Sequence, residues 1–133
     1  MSKELFWLAM TVALTGLAWV PYILDRMMVR GMMGTLANPS PSDAPQTAWA
    51  QRMMASHTNA VENLVVFAPL VLAAEALGLG GGITLAASVV YFVARLAHFV
   101  VYTAGLPVVR TLAFTAAWLA QAAVALVILR VVL

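Results

Sequence analysis

Three polar side chains recur on one face of an apolar stretch that is long enough to cross a bilayer. Arg95, His98 and Tyr102 lie within or at the end of residues 83–102, and steps of three and seven residues bring them onto one helical stripe. A charge inside hydrocarbon is costly, so an intramembrane Arg needs a partner, water or a ligand. The stripe therefore indicates either a polar binding groove or a packing contact in which Arg95 pairs with Glu62.

A second polar stripe enters another apolar helix. Arg52, Asn59 and Glu62 share one face by steps of seven and three, whereas His57 points nearly opposite Asn59. Glu62 is the only acid near the start of this helix, so it must face protein or ligand. Two interpretations remain open and are compatible: a structural ion pair with Arg95, or a receptor for the ammonium group of a ligand.

Arg110 and Thr111 open the last apolar helix. A lone interfacial Arg is often an anchor that fixes topology. Here it would also add to the preference of a helix N-terminus for anions. A thiol bound at this point would be stabilised as the thiolate, which is the nucleophilic form, and Thr111 supplies a hydroxyl beside it. Together, the polar residues suit a small ligand that carries carboxylates and one ammonium group.

Composition indicates a membrane protein. The chain has 133 residues, 64% hydrophobic and 9% charged, with a mean hydropathy of +0.97. A soluble domain is about 45–50% apolar and about 25% charged. The basic residues are spread out, so the pI of 9.5 does not favour nucleic-acid binding. The absence of cysteine excludes disulfides, thiolate metal sites and a protein thiol nucleophile, and no His, Asp and Glu cluster has metal-ligand spacing, so we expect no metal.

The apolar segments predict an all-α, integral membrane four-helix bundle that forms one domain over residues 1–133. A proline-rich loop is expected at about residues 25–47, and short turns make the last three helices antiparallel neighbours in an up-down arrangement. The helices are predicted at about residues 5–24, 48–77, 83–102 and 111–133.

The distribution of Lys and Arg predicts the orientation. Lys3 and Arg130 mark one side of the membrane, and four arginines collect on the side of the long loop. This excess favours a cytoplasmic loop and a cytoplasmic polar site, with both termini outside. The four arginines are Arg26, Arg30, Arg52 and Arg110.

Two motifs resemble the MAPEG family, the membrane-associated proteins in eicosanoid and glutathione metabolism. Residues 52–63 are similar to the family's second-helix pattern, in which Asn and Glu lie three apart after an upstream Arg. Residues 95–111 are similar to its R-x-x-H-x-x-x-Y-x-x-G-x-x-x-x-R run. Further similarity to bacterial members lies at 19–22, 38–39 and 49–52, so the resemblance covers nearly the whole chain.

The resemblance implies a homotrimer in the bacterial inner membrane, with glutathione bound as co-substrate between subunits near the cytoplasmic face. Arg110 would stabilise the thiolate, and Thr111 stands where some relatives have Ser. Lipophilic acceptors would enter from lipid along the first and fourth helices. Two departures remove polar ligand contacts: Ala55 replaces an Arg, and Phe114 replaces a Tyr found in some relatives. The residues implied to bind glutathione are Arg52, Asn59, Glu62, Arg95, His98 and Tyr102.

Three functions compete at this stage. The first is a glutathione-dependent transferase or peroxidase for lipophilic electrophiles. The second is a non-catalytic membrane scaffold, or a protein that binds lipid or another small ligand, in which the polar network only holds the helices together. The third is a small proton-coupled exporter, which would need an acid deep within a membrane span; Glu62 instead lies near the start of the apolar part of its helix, at about residues 59–77.

Overall fold

The computed structural model describes residues 2–133 and folds them into five helices. Four helical segments are long and apolar enough to cross a membrane, the first of them being the joined pair Lys3–Leu36. The helices are α1 (Lys3–Leu17), α2 (Trp19–Leu36), α3 (Ala48–Ala76), α4 (Gly82–Ala104) and α5 (Pro107–Val132).

The joint between α1 and α2 lies just before a proline. Pro21 has no N–H to bond the carbonyl four residues earlier, and its ring crowds that carbonyl. The chain tightens here, with the Ala18 N–H bonding the Thr15 carbonyl at 3.3 Å. Ala18 keeps right-handed helical angles, so α1 runs into α2 with only a local change of pitch.

The predicted loop at 25–47 is wrong in its first half, because α2 continues to Leu36. Residues 25–30 contain Arg and Met, which are good helix formers, and no proline stops the helix before Pro39. The fall in hydropathy marks the end of the apolar span and not the end of the helix. Gly31, with φ of 70°, kinks α2 in a conformation that favours glycine.

The helices form an up-down bundle with α4 in contact with α1, α3 and α5. The Arg52 side chain near the start of α3 reaches the Thr103 carbonyl near the end of α4, so these helices are antiparallel. Arg110, near the start of α5, lies on Tyr102 of α4, so α5 is also antiparallel to α4. We call the end with residues 37–47 the loop end and the end with residues 77–81 the turn end.

The central place of α4 decides which of its residues are buried. Its buried positions recur every three or four residues, as expected for a helix packed along one broad face. The outer surfaces of the bundle instead expose many large apolar side chains, as expected for helices in contact with lipid. The buried α4 face comprises Thr84, Ala87, Ser88, Tyr91, Ala94, Arg95, His98 and Phe99.

A buried carboxylate joins the start of α1 to the start of α4. Glu4 accepts hydrogen bonds from the Gly81 N–H and from the Thr84 hydroxyl, the latter at 3.0 Å. The first N–H groups of a helix have no partner within the helix, and a carboxylate near them is also stabilised by the helix dipole. Glu4 therefore caps α4 from a residue far away in the sequence and fixes α1 at the turn end.

Replacing Glu4 with Ala should lower the stability of the bundle. The substitution leaves the Gly81 N–H and the Thr84 hydroxyl without this acceptor, which should cost about 1–3 kcal/mol. Thermal unfolding of the detergent-solubilised protein would measure the loss. Lys3→Ala, which changes the exposed neighbouring residue, is the control and should leave the midpoint nearly unchanged; an equal midpoint for both variants would contradict the capping role.

Candidate functional site

The Arg95 guanidinium is buried inside the loop-end half of the bundle. The residue is 1% exposed, and its Nη1 donates to Asn59 Oδ1 at 2.8 Å. Its Nε and Nη2 have no hydrogen-bond partner among residues 2–133. The rings of Tyr91 and Phe114 lie 5.4 and 5.6 Å from its Cζ, close enough for cation–π attraction. An amide and two aromatic faces therefore hold this cation.

Of the two interpretations of Glu62, the ion pair with Arg95 is wrong. In the part of the chain that the structure describes, the one salt bridge joins Arg30 and Asp43, and Glu62 is exposed. A step of seven residues returns almost to the same side of a helix, whereas a step of three leaves it by about 60°. Arg52 and Asn59 thus both face α4, and Glu62 is rotated towards the outer surface.

His98 lies next to Arg95 on the buried face of α4 and contacts α3. Its Nδ1 is 3.2 Å from the Ser56 hydroxyl. Its ring meets the Tyr102 ring nearly edge-on, with centroids 5.3 Å apart, and lies 6.4 Å from Phe114. Ser56 was not among the predicted site residues, because its contact with His98 depends on helix pairing that sequence spacing does not reveal.

Arg110 lies on the face of Tyr102, with its Cζ 4.5 Å from the ring centroid. The helix begins at Pro107, earlier than the predicted residue 111, because proline is well suited to the first helical turn. Arg110 therefore belongs to the first turn of α5. Thr111 is exposed, and its hydroxyl donates to the Pro107 carbonyl at 3.1 Å.

Arg52 joins the start of α3 to the end of α4 by a hydrogen bond. Its Nε donates to the Thr103 carbonyl at 2.8 Å. Its side chain also passes close to Gly105, where an added Cβ would lie 3.3 Å from Arg52 Nε. Gly105 has φ of 80° and ends α4 in the left-handed conformation. The backbone conformation thus favours glycine here, and a side chain would also press on Arg52.

A second polar network, not predicted from the sequence, holds the loop against α2 and α3. The buried Asp25 carboxylate accepts from the Thr47 N–H, the Thr47 hydroxyl and Gln46 Nε2 at 3.2, 2.6 and 3.2 Å. The Tyr22 hydroxyl is 2.8 Å from His57 Nδ1. The sequence predicts Asp25 as the first loop residue, and no local pattern signals that its partners lie about twenty residues ahead.

The structure therefore brings most of the predicted site residues together at the loop end. Asn59 and Arg95 are hydrogen-bonded, and His98, Tyr102 and Arg110 form a continuous series of side chains. Glu62 and Thr111 lie apart from these contacts, on exposed surface. We call the three arginines at this end, Arg52, Arg95 and Arg110, the cationic cluster. It lies between α3, α4 and α5 and could accept an anionic ligand.

A model of the MAPEG family matches residues 4–130, nearly the whole chain. The chain belongs to the MAPEG family. No curated protein matches the sequence. Family membership and the four apolar helical segments make it an integral, multi-pass membrane protein. MAPEG proteins include glutathione-dependent transferases and peroxidases, and the family generally uses glutathione as a substrate.

Removing the amide partner of Arg95 should destabilise this MAPEG bundle. Asn59→Ala leaves the buried guanidinium without its one side-chain hydrogen bond, and a bond to a charged group is worth about 1.5–3 kcal/mol. Asn59→Asp is the matched variant, since it keeps an acceptor at nearly the same place. We expect thermal unfolding in detergent to show a clear loss for Ala and a smaller change for Asp; a neutral Ala variant would contradict the importance of this contact.

Proposed function

We propose that this MAPEG protein is a glutathione-dependent transferase or peroxidase acting on lipophilic electrophiles, with Arg110 stabilising the glutathione thiolate. The observation that carries the proposal is the position of Arg110 in the first turn of α5, held on the Tyr102 ring. Within residues 2–133, no carboxylate lies at salt-bridge distance from it. Its charge is therefore available to a ligand.

The electrostatics of this position favour an anion. The first turn of a helix carries partial positive charge from its free N–H groups, so a guanidinium there strengthens the local positive potential and gains nothing from the helix itself. A thiolate beside Arg110 would be stabilised relative to the thiol. Its sulfur would then form a bond to the electrophilic atom of the acceptor as the leaving group departs, or attack a peroxide as the O–O bond breaks.

The other charges of glutathione would be bound by the cluster together with Glu62, which lies outside it on α3. We assign its carboxylates and polar groups to Arg52, Arg95, His98 and Tyr102, and its amine and backbone to Glu62 and Asn59. Arg95 retains two N–H-bearing nitrogens without protein partners, and Glu62 has an exposed carboxylate that must meet something other than lipid. Thr111 would lend its hydroxyl near the sulfur after releasing the Pro107 carbonyl.

An apolar groove beside this cluster could receive the lipophilic acceptor. It has a volume of about 320 Å³ and lies between α1, α3 and α4 at the loop end. Its lining includes Met53, Phe99 and Thr103, and the Thr103 carbonyl is the one that Arg52 contacts. The polar glutathione and the lipophilic acceptor would thus meet at the loop end of the bundle.

We further propose that the site is completed by a neighbouring copy in a homotrimer. Exposed residues recur on the outer face of α3 at alternating steps of four and three along the whole helix. This spacing produces a straight stripe, as in helices that pack side by side. This stripe contains the Glu62 carboxylate and small or polar residues in its loop-end half, which suits protein contact better than lipid. The stripe comprises Gln51, Ala55, Thr58, Glu62, Val65, Pro69, Leu72 and Ala76.

The membrane placement is proposed on the same basis. The Lys and Arg bias would put the loop end at the cytoplasmic face of a bacterial inner membrane, with both termini outside. Glutathione would then reach the site from the cytoplasm and the acceptor from the bilayer.

Replacing Arg110 with Ala should abolish most glutathione conjugation. Loss of one interaction with an anion costs about 1.5–3 kcal/mol, and about 1.4 kcal/mol is tenfold in rate, so we expect turnover of a lipophilic electrophile to fall at least about tenfold. Arg130→Ala, which removes an exposed Arg at the other end of the same helix, should keep full activity. Unchanged turnover in Arg110→Ala would refute the role, and the absence of thermal stabilisation of the unmodified protein by millimolar glutathione would favour the non-catalytic scaffold.

A single cysteine on the α3 stripe should cross-link neighbouring copies. The chain has no cysteine, so Val65→Cys provides one unambiguous thiol. We expect oxidation or a short bis-maleimide to join copies in membranes, because the trimer brings α3 helices together. Leu119→Cys, on an exposed α5 position, is the control; equal cross-linking at both positions would argue against an α3 interface.

A further inference from the structure

Ser56 is completely buried on α3, at 0% exposure, and its hydroxyl oxygen lies 3.2 Å from His98 Nδ1. We propose that Ser56 is a positioning residue: its hydroxyl donates to His98 Nδ1 and so places the imidazole proton on Nε2, as a donor on the side of the ring away from Ser56. The inference rests on the proposed function for the ligand that this donor meets. The position of the proton itself can be measured without any ligand.

The direction of this hydrogen bond follows from the surroundings of the hydroxyl. Many Ser and Thr side chains in this chain donate to the carbonyl four residues earlier, as Thr58 does to Met54 and Ser88 does to Thr84. Ser56 makes no such bond among the described residues, and His98 Nδ1 is its one partner there. A buried hydroxyl proton without an acceptor is costly, so the hydroxyl uses its proton on Nδ1.

The consequence for the imidazole is specific. A neutral imidazole carries one proton, so a nitrogen that accepts a hydrogen bond leaves the proton on the other nitrogen. The two ring nitrogens point to different sides, and Nδ1 faces α3. Nε2 therefore points away from Ser56, and the Tyr102 and Phe114 rings pack on the same imidazole with centroids 5.3 and 6.4 Å away. His98 would donate to a carbonyl or carboxylate of the ligand and would not act as a base towards the thiol.

Nitrogen NMR of the histidine rings tests this assignment directly. The chain has two histidines, and His57→Asn leaves His98 as the one signal from a protein labelled with ¹⁵N-histidine in detergent micelles at pH 8. We expect the ring proton on Nε2 and an unprotonated Nδ1. Ser56→Ala in the same background should move the Nδ1 resonance downfield because its hydrogen bond is lost. Ser88→Ala, which removes another completely buried serine hydroxyl, should leave both resonances in place.

A proton found on Nδ1 in the protein that retains Ser56 would overturn the proposal, as would an Nδ1 resonance that is the same with Ser56 and with Ala. The first result requires no change at Ser56, so it is decisive even if Ser56→Ala fails to fold. Saturating glutathione should shift the Nε2 resonance, and Ser56→Ala should weaken glutathione binding about twofold to tenfold, the range for one neutral hydrogen bond.

These readouts separate the two proposals. If glutathione does not stabilise the unmodified protein, the proposed function fails while the proton position is still decided by the ligand-free spectra. If glutathione binds but the Nε2 resonance does not move, the donor role of His98 fails and the proposed function stands. Loss of affinity in Ser56→Ala with an unmoved Nδ1 resonance would assign Ser56 to packing alone.

Discussion

The site depends on one buried cation that has no carboxylate partner among residues 2–133. Arg95 lies inside a bundle of apolar helices, where an unsolvated guanidinium is costly. An amide oxygen from Asn59 and the faces of Tyr91 and Phe114 reduce this cost, but none of them cancels the charge. The loop end therefore keeps a positive potential that a Glu62 partner would have neutralised. A cluster built this way is suited to an anionic ligand.

The packing of α4 positions this charge. Because α4 packs against α1, α3 and α5, the side chains on its inner face are buried. Arg95 and His98 lie on this face because of their spacing along the helix. The same period carries Tyr102 to the end of the helix, where Gly105 turns the chain and Pro107 starts α5. Arg110 then falls on the Tyr102 ring. The R-x-x-H-x-x-x-Y-x-x-G-x-x-x-x-R motif thus matches the structure in order. Its Arg, His and Tyr lie on one face of α4, its Gly ends α4, and its last Arg lies in the first turn of α5.

Sequence reasoning found what depends on period and hydropathy, and missed what depends on how helices pair. The four membrane segments and the stripe of Arg95, His98 and Tyr102 follow from local pattern. The helical extension to Leu36 does not follow from hydropathy, because the apolar span ends before the helix does, and Arg and Met continue a helix readily. The contact of Ser56 with His98 needs the relative rotation of two helices, which no spacing within one helix contains. For the same reason the spacing of Glu62, three residues from Asn59, does not reveal that its side chain lies on the outer surface.

The exposed Glu62 carboxylate also bears on whether the protein functions as a single chain or as an assembly of copies. A carboxylate on the exposed face of a membrane helix cannot face lipid without a large cost, and within residues 2–133 it has no ion-pair partner. The cationic cluster has the opposite deficit. It contains the guanidinium groups of Arg52, Arg95 and Arg110, and no carboxylate of the described residues lies at salt-bridge distance from them. A second copy packed on α3, together with a ligand that carries both an ammonium group and carboxylates, would remedy both deficits at once. The charge imbalance of one chain therefore argues for a shared site more strongly than the shape of any single groove does.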